Sequence, residues 1–199
     1  MDELFLIDSS IRDKLRSWLT TKTLGGVSKK GSFKYYDKNL WIPIQNTLKS
    51  IVASGDKSIE ERKLLSCCYS GELFRIHNYN KRLRGHVYPL DCYQSWCTEG
   101  GLEAFSSRGG QVLLIRGDAG PEDYAIKTIE LMLYLEPEIV WPVFSGHHEL
   151  CRYVPEYEVA MPIRKANVDE LYVVDSAHLT EWRSHGTPIK REMWFWIKW

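Results

Sequence analysis

The spacing of apolar residues changes near residue 70, and that change is the first guide to the architecture. Before it, apolar positions recur at helical intervals. Ile11, Leu15, Trp18 and Leu19 lie on one helical face, with Ser9 or Ser10 placed to cap the start. Gly25-Gly26 and a lysine-rich stretch end this segment. Pro43 suits the first turn of a second helix, whose buried face carries Ile44, Leu48, Ile51 and Val52 and which closes at Ser54-Gly55. Ser58-Ile59-Glu60-Glu61 has the spacing of a capping box, in which the Ser and Glu side chains satisfy each other's backbone N–H groups. It predicts a third helix ending near Cys68.

Beyond Leu73 the period shortens toward two, which suits strands. Leu73–His77, Tyr93–Cys97, Gln111–Ile115, Ile139–Phe144, Tyr157–Met161 and Leu171–Val174 are the predicted strands. One helix should interrupt them, opening at Pro121-Glu122-Asp123 and packing through Tyr124, Ile126, Ile129, Met132 and Leu133. Met193–Trp199 has bulky residues at every position and predicts a final central strand. Helices followed by strands give an α+β fold class: a helical segment over 1–70 and a mixed, mainly antiparallel β core over 71–199, forming one compact unit.

Composition narrows the partners. The 199 residues carry 26 basic and 26 acidic side chains, so no global field exists to hold a polyanion, which argues against nucleic acid as primary partner. Ser28–Lys34 is locally basic and reads as a solvated loop. No apolar run approaches the roughly 20 residues that span a bilayer. Met1-Asp2-Glu3-Leu4 lacks the basic and apolar regions of an export signal, so the expected location is cytoplasmic, in the producing or a recipient cell. Five cysteines, an odd number without paired metal-ligand spacing, suggest reduced thiols.

The candidate chemistry centres on Glu156-Tyr157-Glu158, running into Val159-Ala160-Met161-Pro162. In an extended strand, carboxylates at i and i+2 project from the same face. No lysine or arginine within the strand neutralises them. Such a pair suits a reaction that develops positive charge; its bland counterpart is a strand face kept wet by two acids.

Two further segments precede it: Arg75 in Leu73-Phe74-Arg75-Ile76, and Tyr93-Gln94-Ser95-Trp96-Cys97-Thr98 followed by Leu102-Glu103-Ala104-Phe105. Arginine, then serine, then Glu-x-Glu-Val-x-x-Pro is an order that resembles the Arg–Ser–Glu class of mono-ADP-ribosyltransferases, which includes bacterial toxins and phage enzymes. The resemblance covers roughly residues 73–174. It departs at Cys97, where a second serine or threonine is usual, at Ile76-His77 after the arginine, and in the long insert over 118–148.

The resemblance implies an ADP-ribosyltransferase fold that takes NAD as substrate and modifies a target protein. Glu158 would be the catalytic carboxylate that steadies the electron-poor ribose as nicotinamide departs, as in glycoside cleavage. Glu156 would orient and help deprotonate the acceptor, most simply an arginine, since a carboxylate pairs well with a guanidinium. Arg75 would bind the pyrophosphate. Ser95 would hydrogen-bond the nicotinamide side or steady Glu158, Trp96 would flank the cofactor, and Tyr153 would sit in the loop that meets the target protein.

Other readings remain open at this point. Cys97 with His147 or His148 would make a thiolate–imidazole pair, and His147, His148 and Cys151 a metal set. Eight tryptophans and 11 tyrosines also suit a catalytically inactive interaction module that inhibits a partner through an aromatic surface.

Overall fold

The computed structural model describes residues 7–20, 35–79, 93–136, 157–162 and 168–196. Its helical part begins with α1 (Ser9–Thr20) and continues through a π-type turn at Asp37–Trp41 into α2 (Ile42–Ala53), then α3 (Ile59–Ser66). The cap of α1 is Asp8, whose carboxylate accepts the Ser10 N–H at 2.7 Å, and not Ser9 or Ser10. The widened turn before α2 ends where Pro43 offers no N–H to an i−4 carbonyl. At α3 the predicted capping box is present: Glu61 N–H reaches Ser58 Oγ at 3.2 Å and Ser58 N–H reaches Glu61 Oε2 at 2.7 Å.

The strands are β1 (Cys68–Tyr69), β2 (Gly71–Asn78), β3 (Tyr93–Cys97), β4 (Gln111–Ala119), β5 (Ala125–Lys127), β6 (Glu158–Pro162), β7 (Val168–Asp175) and β8 (Thr187–Pro188). They form one antiparallel sheet in the order β1-β5-β6-β3-β2-β4-β7-β8. This mixed α+β class agrees with the sequence reading.

The order forces the sheet to curl. Only Ser70 separates β1 from β2, yet four strand spacings lie between them, about 19 Å if the sheet were flat. Two residue steps reach only about 7 Å. The β2–β4 ribbon therefore bends and continues as the β1–β5 ribbon, which closes against β6. Both chains of the ribbon turn at that bend through positive φ: Gly71 at 131°, which a side chain would resist, and Tyr124 at 49°.

Curling gives the sheet an inner and an outer face. The inner face is filled by Leu73, Trp96, Leu113, Ile115, Val159, Met161 and Leu171 with smaller residues. On one half of the outer face, α1 to α3 and α4 (Thr128–Leu135) pack with Tyr93, Ile126 and Ala160, so the helical segment and the sheet share one core. On the other half, 3₁₀ segments at Glu99–Arg108 and Ser176–Glu181, with α5 (Trp182–His185), cover Phe74, Cys97, Leu114 and Val174. Coverage on both sides explains the unbroken apolar run Val112-Leu113-Leu114-Ile115 in β4.

Two predicted elements differ. The helix expected from Pro121 is a 3₁₀ turn over Pro121–Asp123, closed by Asp123 Oδ2 accepting Gly120 N–H at 2.8 Å; then comes β5, and only then α4. Pairing of Ala125–Lys127 with both β1 and β6 outcompetes helix propensity there. Of the expected final strand, Met193–Trp196 falls in a 3₁₀ segment over Arg191–Trp196, with Met193 half exposed, while 197–199 lie outside the described residues. The expected strand over 139–144 lies outside the described residues.

Candidate active site

Glu158 opens β6, opposite Cys97 of β3. The strand does not extend back to Tyr157 as expected: Tyr157 has φ 45°, in the left-handed region. Extended alternation therefore begins at Glu158. The Tyr157 ring lies over Gly100, 3.6 Å from where a Cβ would stand, and its carbonyl accepts the Thr98 N–H at 3.4 Å.

Two neutral donors from different elements hold the half-buried carboxylate of Glu158. Trp18 of α1 donates its indole N–H to Oε1 at 3.1 Å. Thr128, first residue of α4, places Oγ1 3.0 Å from Oε2 and 3.3 Å from the Glu158 carbonyl. Trp18 is itself fixed, edge-on to Tyr36 and Trp41, and Trp41 stacks on Tyr93 with centroids 5.5 Å apart. Arg16, two residues before Trp18 on α1, bonds Glu136 at the end of α4 through Nε at 2.9 Å. The helices that frame Glu158 are thus tied to each other and to the sheet. A carboxylate gripped this way keeps one orientation.

The strands bearing Arg75, Ser95 and Glu158 are immediate neighbours, β2 beside β3 beside β6. Their side chains do not all share a face. Cross-strand partners project the same way and successive residues alternate. Phe74 pairs with Cys97 and Cys97 with Glu158, which puts these three, with Ser95, on the outer face. Arg75 projects inward. There its guanidinium donates to the Ser95 carbonyl and, through Nε at 2.9 Å, to His77 Nε2. The structure thus brings Ser95 and Glu158 to one side of the sheet and Arg75 to the other. Trp96 is 2% exposed on the inner face and donates to the Met161 carbonyl at 3.3 Å, the environment of a core residue.

Glu156 and Tyr153 lie outside the described residues, as do His147, His148 and Cys151. Cys97 is buried and packs with Phe74 and Leu102 on the outer face. Sequence reasoning did not find Trp18 or Thr128. Trp18 falls on the apolar stripe of α1 and reads as core, and nothing about Thr128 marks it. No helix among the described residues is long and apolar enough to cross a membrane.

No protein-family model, no curated protein and no solved structure matches this chain.

Proposed function

We propose that this chain is an NAD-dependent mono-ADP-ribosyltransferase acting on a target protein, with Glu158 as the carboxylate that carries the chemistry. The observation behind this reading is the strand arrangement. Three segments that resemble the arginine, serine and glutamate motifs of such enzymes become adjacent strands, with Glu158 held in one orientation on the same sheet face as Ser95.

Glu158 meets the requirement of the reaction. As the bond from ribose C1′ to the nicotinamide nitrogen breaks, the leaving group keeps the electron pair and positive charge gathers on the sugar. A carboxylate already held by Trp18 and Thr128 stabilises that charge without reorganising. The acceptor nitrogen then bonds to C1′ and gives up a proton, a step that falls to Glu156, with an arginine of the target as preferred acceptor. In this reading Arg75 is a positioning residue that ties β2 to β3 through the Ser95 carbonyl, and Tyr153 meets the target. The cytoplasm of the producing or recipient cell is the proposed site of action.

The placement of Arg75 and Glu158 on opposite faces favours a second reading. In it the chain keeps the strand order but binds a partner protein without cleaving NAD. Biotinylated NAD incubated with this chain and a cell lysate separates the two. Labelled target protein is expected for the transferase; a partner captured equally with and without NAD, and never labelled, supports the module.

A further inference from the structure

We propose that His178, Glu181 and His185 form a binding site for a divalent transition-metal ion of the zinc class, on the outer surface after β7 and separate from Glu158. The three residues sit at i, i+3 and i+7, a spacing that keeps them on one side of successive helical turns. The 3₁₀ segment Ser176–Glu181 and α5 meet here, with His178 at non-helical angles (φ −113°, ψ 19°). The two imidazoles stack with centroids 4.4 Å apart and planes 9° from parallel. Glu181 Oε2 stands 3.2 Å from His185 Nδ1 and 3.9 Å from His178 Nδ1. One ligand atom from each residue falls within 4.8 Å of the others.

Ligands about 2.0 Å from a tetrahedral ion lie roughly 3.3 Å apart. The Glu181–His185 pair has that spacing already. All three side chains are exposed, so small torsional changes bring in His178. Two imidazole nitrogens and one carboxylate oxygen select zinc, copper or nickel over the oxygen-loving magnesium and calcium. Three protein ligands leave a position open to water.

The backbone beneath is firm. Leu179 and Trp182, between the ligands, are 0% and 2% exposed, and Asp175 caps the segment by accepting the Ala177 N–H at 3.0 Å. Ser184 Oγ lies 3.1 Å from His185 Nδ1, a contact that an ion on that nitrogen would displace. A pair of helical His–Glu contacts alone needs only one histidine beside the acid. Here two histidines, one at the kink and one in α5, face the same carboxylate oxygen, so an ion would clip the 3₁₀ segment to α5.

The test is calorimetric titration of the tag-free full chain with Zn²⁺, paired with thermal denaturation in Zn²⁺ and in chelator. One ion per chain and a higher melting temperature in Zn²⁺ are expected. His178→Ala and His185→Ala should each weaken binding by ~10-fold or more, and the double variant should lose both the heat and the thermal shift. These exposed positions leave the metal-free melting temperature near that of the parent. Absence of Zn²⁺ binding by the parent, or binding that survives the double substitution, overturns the proposal.

Discussion

Trp18 of the first helix and Glu158 at the head of β6 are joined by an indole N–H to carboxylate hydrogen bond of 3.1 Å, across 140 positions of sequence. This bond couples the helical segment to the candidate active site. Trp18→Phe keeps an aromatic ring against Tyr36 and Trp41 while deleting the donor. Hydrogen bonds to charged groups contribute about 1.5–3 kcal/mol, and Glu158 is only partly buried, so a loss of about 1–2 kcal/mol is expected. Urea denaturation measures it. Transfer activity should fall as well, by less than on loss of the carboxylate itself. A variant unchanged in both respects would show that the bond positions nothing.

Arg75 gives a sharper test of geometry. Its guanidinium bonds the Ser95 carbonyl and His77 on the inner face. Arg75→Ala should therefore lower stability by about 1–3 kcal/mol, the cost of leaving such groups unsatisfied. NAD affinity should stay within about a factor of two, measured by titration at a temperature where the variant is folded. Weaker NAD binding at unaltered stability would place Arg75 on the nucleotide.

Ser58→Ala tests the local reading of α3. Both bonds of the capping box are present, so the substitution should cost about 1 kcal/mol, and Ser58→Asp should cost markedly less. The denaturation midpoints of the two variants decide it.

Cys67 tests the core beneath α3. Burial, then the nearby charge of Glu130, pushes its thiol up from 9.0 to about 12. Alkylation at mildly alkaline pH should spare Cys67 in the native chain and label it in denaturant, as read by mass spectrometry. The linkage has a definite sign. The unfolded thiol ionises near 9.0 and the folded one only near 12, so its contribution is intact below the first value and is lost as pH climbs toward the second. Cys67→Ala should flatten the fall in stability across that range.

Local chemistry made much of the fold legible. The Ser58–Glu61 box, the apolar stripes of α1 and α2 and the alternation in β2 and β3 each act over a few residues, and each emerged close to its expected bounds, while β7 runs twice the length expected from Leu171–Val174. What escaped depends on distant partners. Residues 125–127 read as helix until β1 and β6 are there to pair with them. Met193 to Trp196 read as strand, yet they fall in a 3₁₀ segment that follows the short edge strand β8.

The site divides the same way. Sequence order suggested that Arg75, Ser95 and Glu158 belong together, and their strands are neighbours. Which face each side chain takes depends on register, and a one-residue difference between Phe74 and Arg75 sends the guanidinium inward. The donors to Glu158 come from α1 and α4, and no pattern within Glu-x-Glu could have named them.

Nicotinamide release from NAD by the purified chain, compared with Glu158→Gln, bears most directly on the role of that carboxylate. Steady release by the parent is expected, with a loss of at least ~10² in rate for the variant and little change in melting temperature. Release by Glu158→Gln at the parent's rate, or none from a folded parent that still captures a partner protein, would contradict it.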